Sequence, residues 1–363
     1  MSSSQATAQT DLDAVSDNFE RVRELAPQSR IMAIIKADAY GHGAVQVARK
    51  LQAADAFGVA RVSEAVKLRE AGISGAICLL EGASTREELN LASIYELQVT
   101  VHSEEQLELM TREGARRKVW LKIDTGMGRL GIRPEKAAEA LDRLGSQELL
   151  GIMTHFARAD EPGIDMTDRQ VKKFLSACSD LKARHPAAGT VSLANSAGII
   201  RFPQSHGNWV RPGLMLYGAS PMVDLQPDHT LSPAMHFTAP VIAVRRLEPG
   251  ESVGYGSLWT AESRTRIAVV AAGYGDGYPR EIAADTPVLI NGERRPVRGR
   301  VSMDMMTVQL EDRDIVQVGD HVTLWGGGLP IEEIAKAAGT VTYTLMCSIN
   351  ARVRRTYRGE VRG

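Results

Sequence analysis

From residue 31 to about residue 217, short apolar runs alternate with longer amphipathic segments, and this rhythm restricts the fold more than any other feature. The runs are 31–35 (IMAII), 56–60 (AFGVA), 76–80 (AICLL), 98–101 (QVTV), 118–123 (KVWLKI), 149–154 (LLGIMT), 190–194 (TVSLA) and 209–217 (WVRPGLMLY). Helical patterns such as 44–54 (AVQVARKLQAA) and 102–114 (HSEEQLELMTREG) lie between them. Strands covered by helices on both faces read as near-continuous apolar runs, as these do. Eight in series predict an α/β fold, a (β/α)8 barrel. A doubly wound open sheet is the alternative, because periodicity does not report closure.

The rhythm changes after a segment rich in Pro, Asp and Ser at 218–234. Beyond it come β-branched runs punctuated by turns (PVIAVRRL, TRIAVVAAGY, TPVLING, MTVQL, HVTLWG), with one helical pattern at 330–339. Residues 1–230 are therefore read as the barrel and 231–363 as a smaller, mainly β domain. A chain of 363 residues is long enough for two domains and needs no staples to bury a core.

Polar residues cluster just after the apolar runs: Lys36, Asp124 to Arg129, His155, Asn195 with Ser196, and Arg211. In a barrel those ends converge on one mouth, so residues distant in sequence can share a site. Lys36 ends the run IMAIIK and precedes the polar, glycine-containing ADAYGHG. An amine partly desolvated there can form a Schiff base with a carbonyl compound. If that compound were pyridoxal phosphate, a phosphate cradle would also be needed. Asn195-Ser196-Ala197-Gly198 offers hydroxyl and backbone N–H donors at a helix start. Tyr40, Gly213 and Leu214 could complete the cradle. The segment LKIDTGMGRLG aims the Arg129 guanidinium from a glycine-rich turn, suited to a carboxylate or phenolate. Arg211, before Pro212 and Gly213, needs an acceptor if buried, and a heterocyclic nitrogen would serve. Tyr255 lies between two glycines, a phenol on a tight turn.

Composition narrows the partners. With 43 basic and 44 acidic residues the net charge is −1, which argues against nucleic acid or an anionic membrane. The three scattered cysteines make neither a disulfide framework nor a metal site, and no metal is expected. The first residues lack a basic flank and apolar stretch, and no apolar run approaches a membrane span, so a cytoplasmic location is expected.

Nine ordered segments together resemble the alanine racemase family over nearly the whole chain. They are IIKADAYGHG (34–43), KIDTGMGRLGIRP (122–134), THFARADE (154–161), ANSAG (194–198), VRPGLMLYG (210–218), VGYG (253–256), AAGYGDGYPR (271–280), GRVSMDM (299–305) and LMCSINARV (345–353). The resemblance implies a barrel followed by a β domain, pyridoxal 5'-phosphate as cofactor, alanine as substrate, and a head-to-tail homodimer with shared active sites. It makes Lys36 the cofactor-bearing lysine and Tyr255, from the other subunit, the second base. It assigns Arg211 to the ring nitrogen, and Arg129 to the cofactor phenolate and substrate carboxylate. It places Tyr40, Ser196, Gly213, Leu214 and Tyr343 on the phosphate, with His155 and Asn195 among the cofactor-binding residues. Met303 becomes a substrate contact with Asp304 beside it, and Tyr274 and Tyr343 narrow the entrance. Lys122 matches a lysine that many members carry as a carbamate. Asp38, Ser302 and Arg354 depart from the commonest versions of the motifs.

Racemisation needs two bases on opposite faces of Cα. By resemblance Lys36 handles the proton of the D-enantiomer and Tyr255 that of the L-enantiomer, with His155 and Arg211 assisting the phenol. The expected role is D-alanine supply or alanine catabolism. Rival readings are a broader-specificity racemase, an amino-acid decarboxylase and a non-catalytic cofactor carrier. A decarboxylase should present a carboxylate to the ring nitrogen where Arg211 stands, and a carrier has no use for residues beyond 235.

Overall fold

The computed structural model describes residues 5–228 and 230–359. They form two compact units that interleave along the chain. One contains Ser16–Leu216 and Pro221–Asp224. The other takes residues 5–15, Tyr217–Ser220 and the described residues from Leu225 to residue 359. The first strand, β1 (Thr7–Asp11), thus belongs to the β unit, although residues 1–230 read as one domain from sequence.

The first unit is a closed barrel of eight strands: β2 (Arg30–Ile34), β3 (Ala56–Val59), β4 (Ile77–Leu79), β5 (Gln98–Val101), β6 (Lys118–Lys122), β7 (Glu148–Met153), β8 (Val191–Ser192) and β9 (Trp209–Val210). Neighbours are parallel, and β2 closes on β9 through Arg30↔Trp209 and Ile31↔Val210. The open-sheet alternative is therefore excluded. Every residue of β3, β4 and β5 is buried, as strands between a filled barrel interior and a helical jacket must be. Inside, Trp120 meets Trp209 edge-on at 5.7 Å and donates from Nε1 to Gln98 Oε1 at 2.9 Å. Intervening helices start where their caps dictate: Thr85 accepts from Glu88 N and Ser103 from Gln106 N. The run expected as a strand over 209–217 is extended only at Trp209–Val210. Pro212 has no N–H for a ladder, and Leu214–Tyr217 winds into a 3₁₀ turn.

In the second unit follow β10 (Met235–Leu247), β11 (Ser252–Val253), β12 (Trp259–Thr260), β13 (Thr265–Val270), β14 (Pro287–Ile290), β15 (Glu293–Arg298), β16 (Met306–Leu310), β17 (His321–Trp325) and β18 (Arg354–Arg358). The main sheet runs β13-β16-β15-β14-β17-β10-β1-β18, and β13 also pairs with β10, so the sheet rolls back on itself. β1 fills a slot between antiparallel β10 and parallel β18. Its core is aromatic: Phe237 against Trp325 at 4.6 Å, and Tyr278 stacked on Trp325 at 6.1 Å. The helix expected near 330–339 spans Ile331–Ala337, and a second, Thr342–Ser348, follows it. β11 and β12 form a small hairpin whose turn carries Tyr255. Among the described residues, no helix is long and apolar enough to cross a membrane.

Candidate active site

The C-terminal ends of the barrel strands carry most of the expected site. Lys36 follows β2, Lys122 ends β6, His155 follows β7, Asn195 and Ser196 follow β8, and Arg211 follows β9. Parallel strands in a closed barrel deliver these positions to one mouth.

Behind Lys36 the backbone does something unusual. Ala37, Asp38, Ala39 and Tyr40 all have φ between 51 and 55°, a left-handed turn of four non-glycine residues. Each such residue costs roughly 1–2 kcal/mol, so the surroundings must hold the turn. Ala37 N donates to Glu64 Oε1 at 2.6 Å, while Glu64 Oε2 accepts from Ala60 N and Arg61 N. One carboxylate therefore ties the exit of β2 to the exit of β3. Asp38 Oδ1 accepts from Ala44 N at 3.0 Å and faces Lys67 Nζ at 3.4 Å, so aspartate serves well at this departure from the common motif. Gly41 and Gly43, at φ 79 and 91°, return the chain to a right-handed helix at Ala44.

Cations dominate the mouth. Lys122 is 8% exposed, and burial together with Arg211, Arg129 and Lys36 pushes its amine down to about 8, with Glu81 opposing. Arg211 is buried too, and burial lowers it to about 10. Its guanidinium is held by protein at both terminal nitrogens: Nη1 donates to Ser192 Oγ at 2.6 Å, and Nη2 to the carbonyls of Thr154 and Leu193. Nη2 also lies 3.4 Å from His155 Nδ1. Burial, and then the charges of Arg211, Lys122, Arg129 and Lys36, hold the His155 imidazole well below its usual range. A neutral Nδ1 can accept from Arg211, so geometry and charge agree. Lys36, Lys122, Arg129, His155 and Arg211 therefore share one electrostatic neighbourhood.

The Arg129 turn is built by Asp124, whose carboxylate accepts from Gly126 N, Met127 N and Gly128 N at 2.8–3.2 Å. Gly131 is required here, since a Cβ would lie 2.4 Å from Asp124 N. Gln170 joins neighbouring strand ends, donating to Thr125 Oγ1 and the His155 carbonyl and accepting from Ala157 N.

A second cluster lies between β8 and β9. Asn195 caps the helix Ser196–Arg201, accepting from Gly198 N at 3.0 Å. Ser196 Oγ accepts from Gly213 N at 2.9 Å and Met215 N at 3.3 Å, which leaves its own proton to donate. A Cβ on Gly213 would sit 2.7 Å from Tyr40 Oη, so glycine alone keeps that space open. Leu214 is buried beside it.

The remaining expected residues belong to the β unit. Tyr255 is 73% exposed, between Gly254 and Gly256 at φ 69 and 78°. Met303, Tyr274 and Tyr343 are also exposed. Arg352 binds Asp304 Oδ1 at 2.8 Å. Arg354 N donates to Ala6 O at 3.1 Å, a bond that proline at this position could not make. Sequence reasoning missed Glu64, Gln170, Thr154 and Ser192. These act through ordinary hydrogen bonds, of side chains or, at Thr154, of the main-chain carbonyl, that carry no motif; only Glu64, three residues after Arg61 at a helix start, has a local signal.

The alanine racemase N-terminal domain model matches residues 10–221 and the C-terminal domain model residues 234–357. An alanine racemase of Edwardsiella ictaluri is 45% identical over 98% of this chain and 99% of its own length. Among solved structures, the biosynthetic alanine racemase of Pseudomonas aeruginosa superposes with a TM-score of 0.92 at 42% identity, over 98% of this chain and 100% of that one. The alanine racemase of Acinetobacter baumannii gives 0.91 at 36% identity, again over 98% and 100%. Two domain models in order, and likeness along almost every residue, leave one conclusion: the chain belongs to the alanine racemase family.

Proposed function

We propose that the protein interconverts L- and D-alanine by a two-base mechanism with pyridoxal 5'-phosphate, as a cytoplasmic homodimer whose sites are shared between subunits. The observation that carries the cofactor reading is the barrel mouth itself. Lys36, Lys122, Arg129 and Arg211 share it, and Glu81 is the carboxylate that opposes them at Lys122. Such a mouth suits a polyanion. Beside it, the free Ser196 proton and the space kept by Gly213 next to Tyr40 suit a phosphate. The residues present fit the group.

Bound there, the cofactor supplies an electron sink for the charge left when the substrate α-proton departs, kept shallow by a partner at its ring nitrogen that can only donate. Lys36 holds the cofactor and moves the proton on one face of Cα, that of the D-enantiomer. Tyr255 from a second copy of the chain moves it on the other face. Arg211 is the donor to the ring nitrogen, locked by Ser192 and Thr154 so that it cannot turn away. Because His155 stays neutral, it can relay a hydrogen bond rather than add a further charge. Arg129 binds the substrate carboxylate, and Met303 lines the substrate space with Asp304 beside it. Tyr343 joins Tyr40, Ser196, Gly213 and Leu214 at the phosphate, and Tyr274 narrows the entrance. With its amine near 8, Lys122 has an appreciable neutral fraction, the form that reacts with carbon dioxide. Its carbamate would convert one like charge beside Arg129 into a partner.

The test is an amino-acid panel scored for racemisation while the cofactor spectrum is recorded. Alanine should be interconverted by a yellow protein. Lys36→Ala should lose both the colour and at least about a thousandfold in rate, and a variant with normal activity would refute the assignment.

A further inference from the structure

In the β unit, three segments far apart in sequence meet at one guanidinium. Arg352 Nε donates to Asp276 Oδ1 at 2.8 Å, Nη1 to Asp304 Oδ1 at 2.8 Å, and Nη2 to the Met303 carbonyl at 3.2 Å. Asp276 is 8% exposed, and its second oxygen accepts from Gly273 N at 2.9 Å. The backbone repeats the connection: Tyr274 N donates to Ser302 O at 3.1 Å and Gly275 N to Met303 O at 2.8 Å. Ser302 N in turn donates to Met305 O at 2.9 Å, so residues 302–305 form a closed turn with little freedom of their own.

The glycines of 273–277 are the surface on which this turn rests. A Cβ on Gly273 would lie 2.1 Å from Ser302 O, and one on Gly275 would lie 2.5 Å from Arg352 Nη2 and 2.9 Å from Met303 O. A Cβ on Gly277 would strike Ser348 O at 2.4 Å, and Ser348 Oγ donates to Gly277 O. GYGDG, SMDM and the stretch around Asn350 are therefore one packed body, although each reads as a separate motif.

We propose that Arg352 is a positioning residue for substrate size: by fixing the Met303 carbonyl and Asp304 against Asp276, it sets where Met303 stands and ties it to Tyr274. This rests on the functional reading above, in which Met303 faces the substrate. A planar fork holding two carboxylates and a carbonyl specifies position in a way a point charge cannot. Alanine differs from 2-aminobutyrate by one methylene, and rejecting one methylene depends on a wall that does not give. The cofactor machinery in the barrel is untouched by this body's internal bonds, so its loosening should alter selectivity before it alters cofactor binding.

The experiment measures kcat/KM for alanine, serine and 2-aminobutyrate on the cofactor-loaded wild type, Arg352→Lys and Arg352→Ala. Cofactor absorbance, thermal midpoint and amide exchange over residues 273–277 and 302–305 are recorded on the same samples. Arg352→Ala should shrink the preference for alanine over 2-aminobutyrate by about tenfold, speed exchange in both segments and leave the absorbance unchanged. Arg352→Lys should fall between it and wild type. An unchanged preference in a folded variant, or an equal loss on every substrate, overturns the assignment. If Arg352→Ala does not fold, Asp304→Asn must shift the preference in the same direction, and an unchanged ratio there is equally fatal. A wild type that racemises none of the three overturns the functional reading and this assignment with it.

Discussion

At His155 the surroundings decide a protonation state that the amino acid alone leaves open. Burial and four cations hold its pKa well below the ordinary value, whereas the unfolded ring titrates near about 6.5. Above that pH both states carry a neutral ring and the histidine adds no pH dependence. As pH falls below it, the unfolded ring binds a proton that the folded ring refuses, so the unfolded state gains. Stability should drop on acidification, by up to about 1.4 kcal/mol per pH unit from this group. His155→Gln removes the linkage, so its urea midpoints between pH 7 and pH 5 should fall less steeply than those of wild type. Equal slopes would assign the effect to other groups. The histidine itself was visible in the sequence, but its neutrality was not, because the four cations come from the ends of three different strands, β2, β6 and β9.

At the scale of elements, the most informative is the left-handed turn Ala37–Tyr40. KADAY is unexceptional in sequence, and nothing in it requires φ above 50° at four successive residues. The turn is imposed from outside by the Glu64 carboxylate, and from within by bonds such as Ala39 N to Ile35 O. An alanine in a right-handed helix loses about 1 kcal/mol on becoming glycine. Ala37, exposed and at φ 52°, should reverse that sign. Ala37→Gly should leave the thermal midpoint unchanged or raise it, while Glu64→Ala should lower it and reduce kcat by about ten- to a hundredfold. A lowered midpoint in Ala37→Gly would mean the turn is not the strained element. Elements whose cause is local were legible: the runs of β2 to β7, and helices with Ser or Thr caps. Those with distant causes were not. β1 is a strand because β10 and β18 leave a slot for it, and the extended run expected over 209–217 stops because Pro212 cannot join a ladder.

For the whole molecule the decisive question is where the second base comes from. The barrel strand ends gather Lys36, Lys122, Arg129, His155 and Arg211, whereas Tyr255 sits in the other unit on a hairpin turn, 73% exposed. A phenol acting as base belongs in a dry, charged site, and its exposure on one chain is explained if a second chain covers it. Leu258, Met303 and Tyr343 in the same unit are likewise more than 40% exposed, an apolar set that an interface would bury. Head-to-tail pairing about a two-fold axis, as proposed above, would build two identical sites, each with Lys36 from one subunit and Tyr255 from the other. The arrangement has a quantitative signature. Lys36→Ala and Tyr255→Phe should each be nearly inactive alone, the second with its cofactor still bound. Mixed and allowed to exchange at equal amounts, half the dimers are hybrids. Each hybrid has one site with both bases and one with neither, so activity should recover to about a quarter of wild type. If each site were built from a single chain, verified hybrids would remain as inactive as their parents.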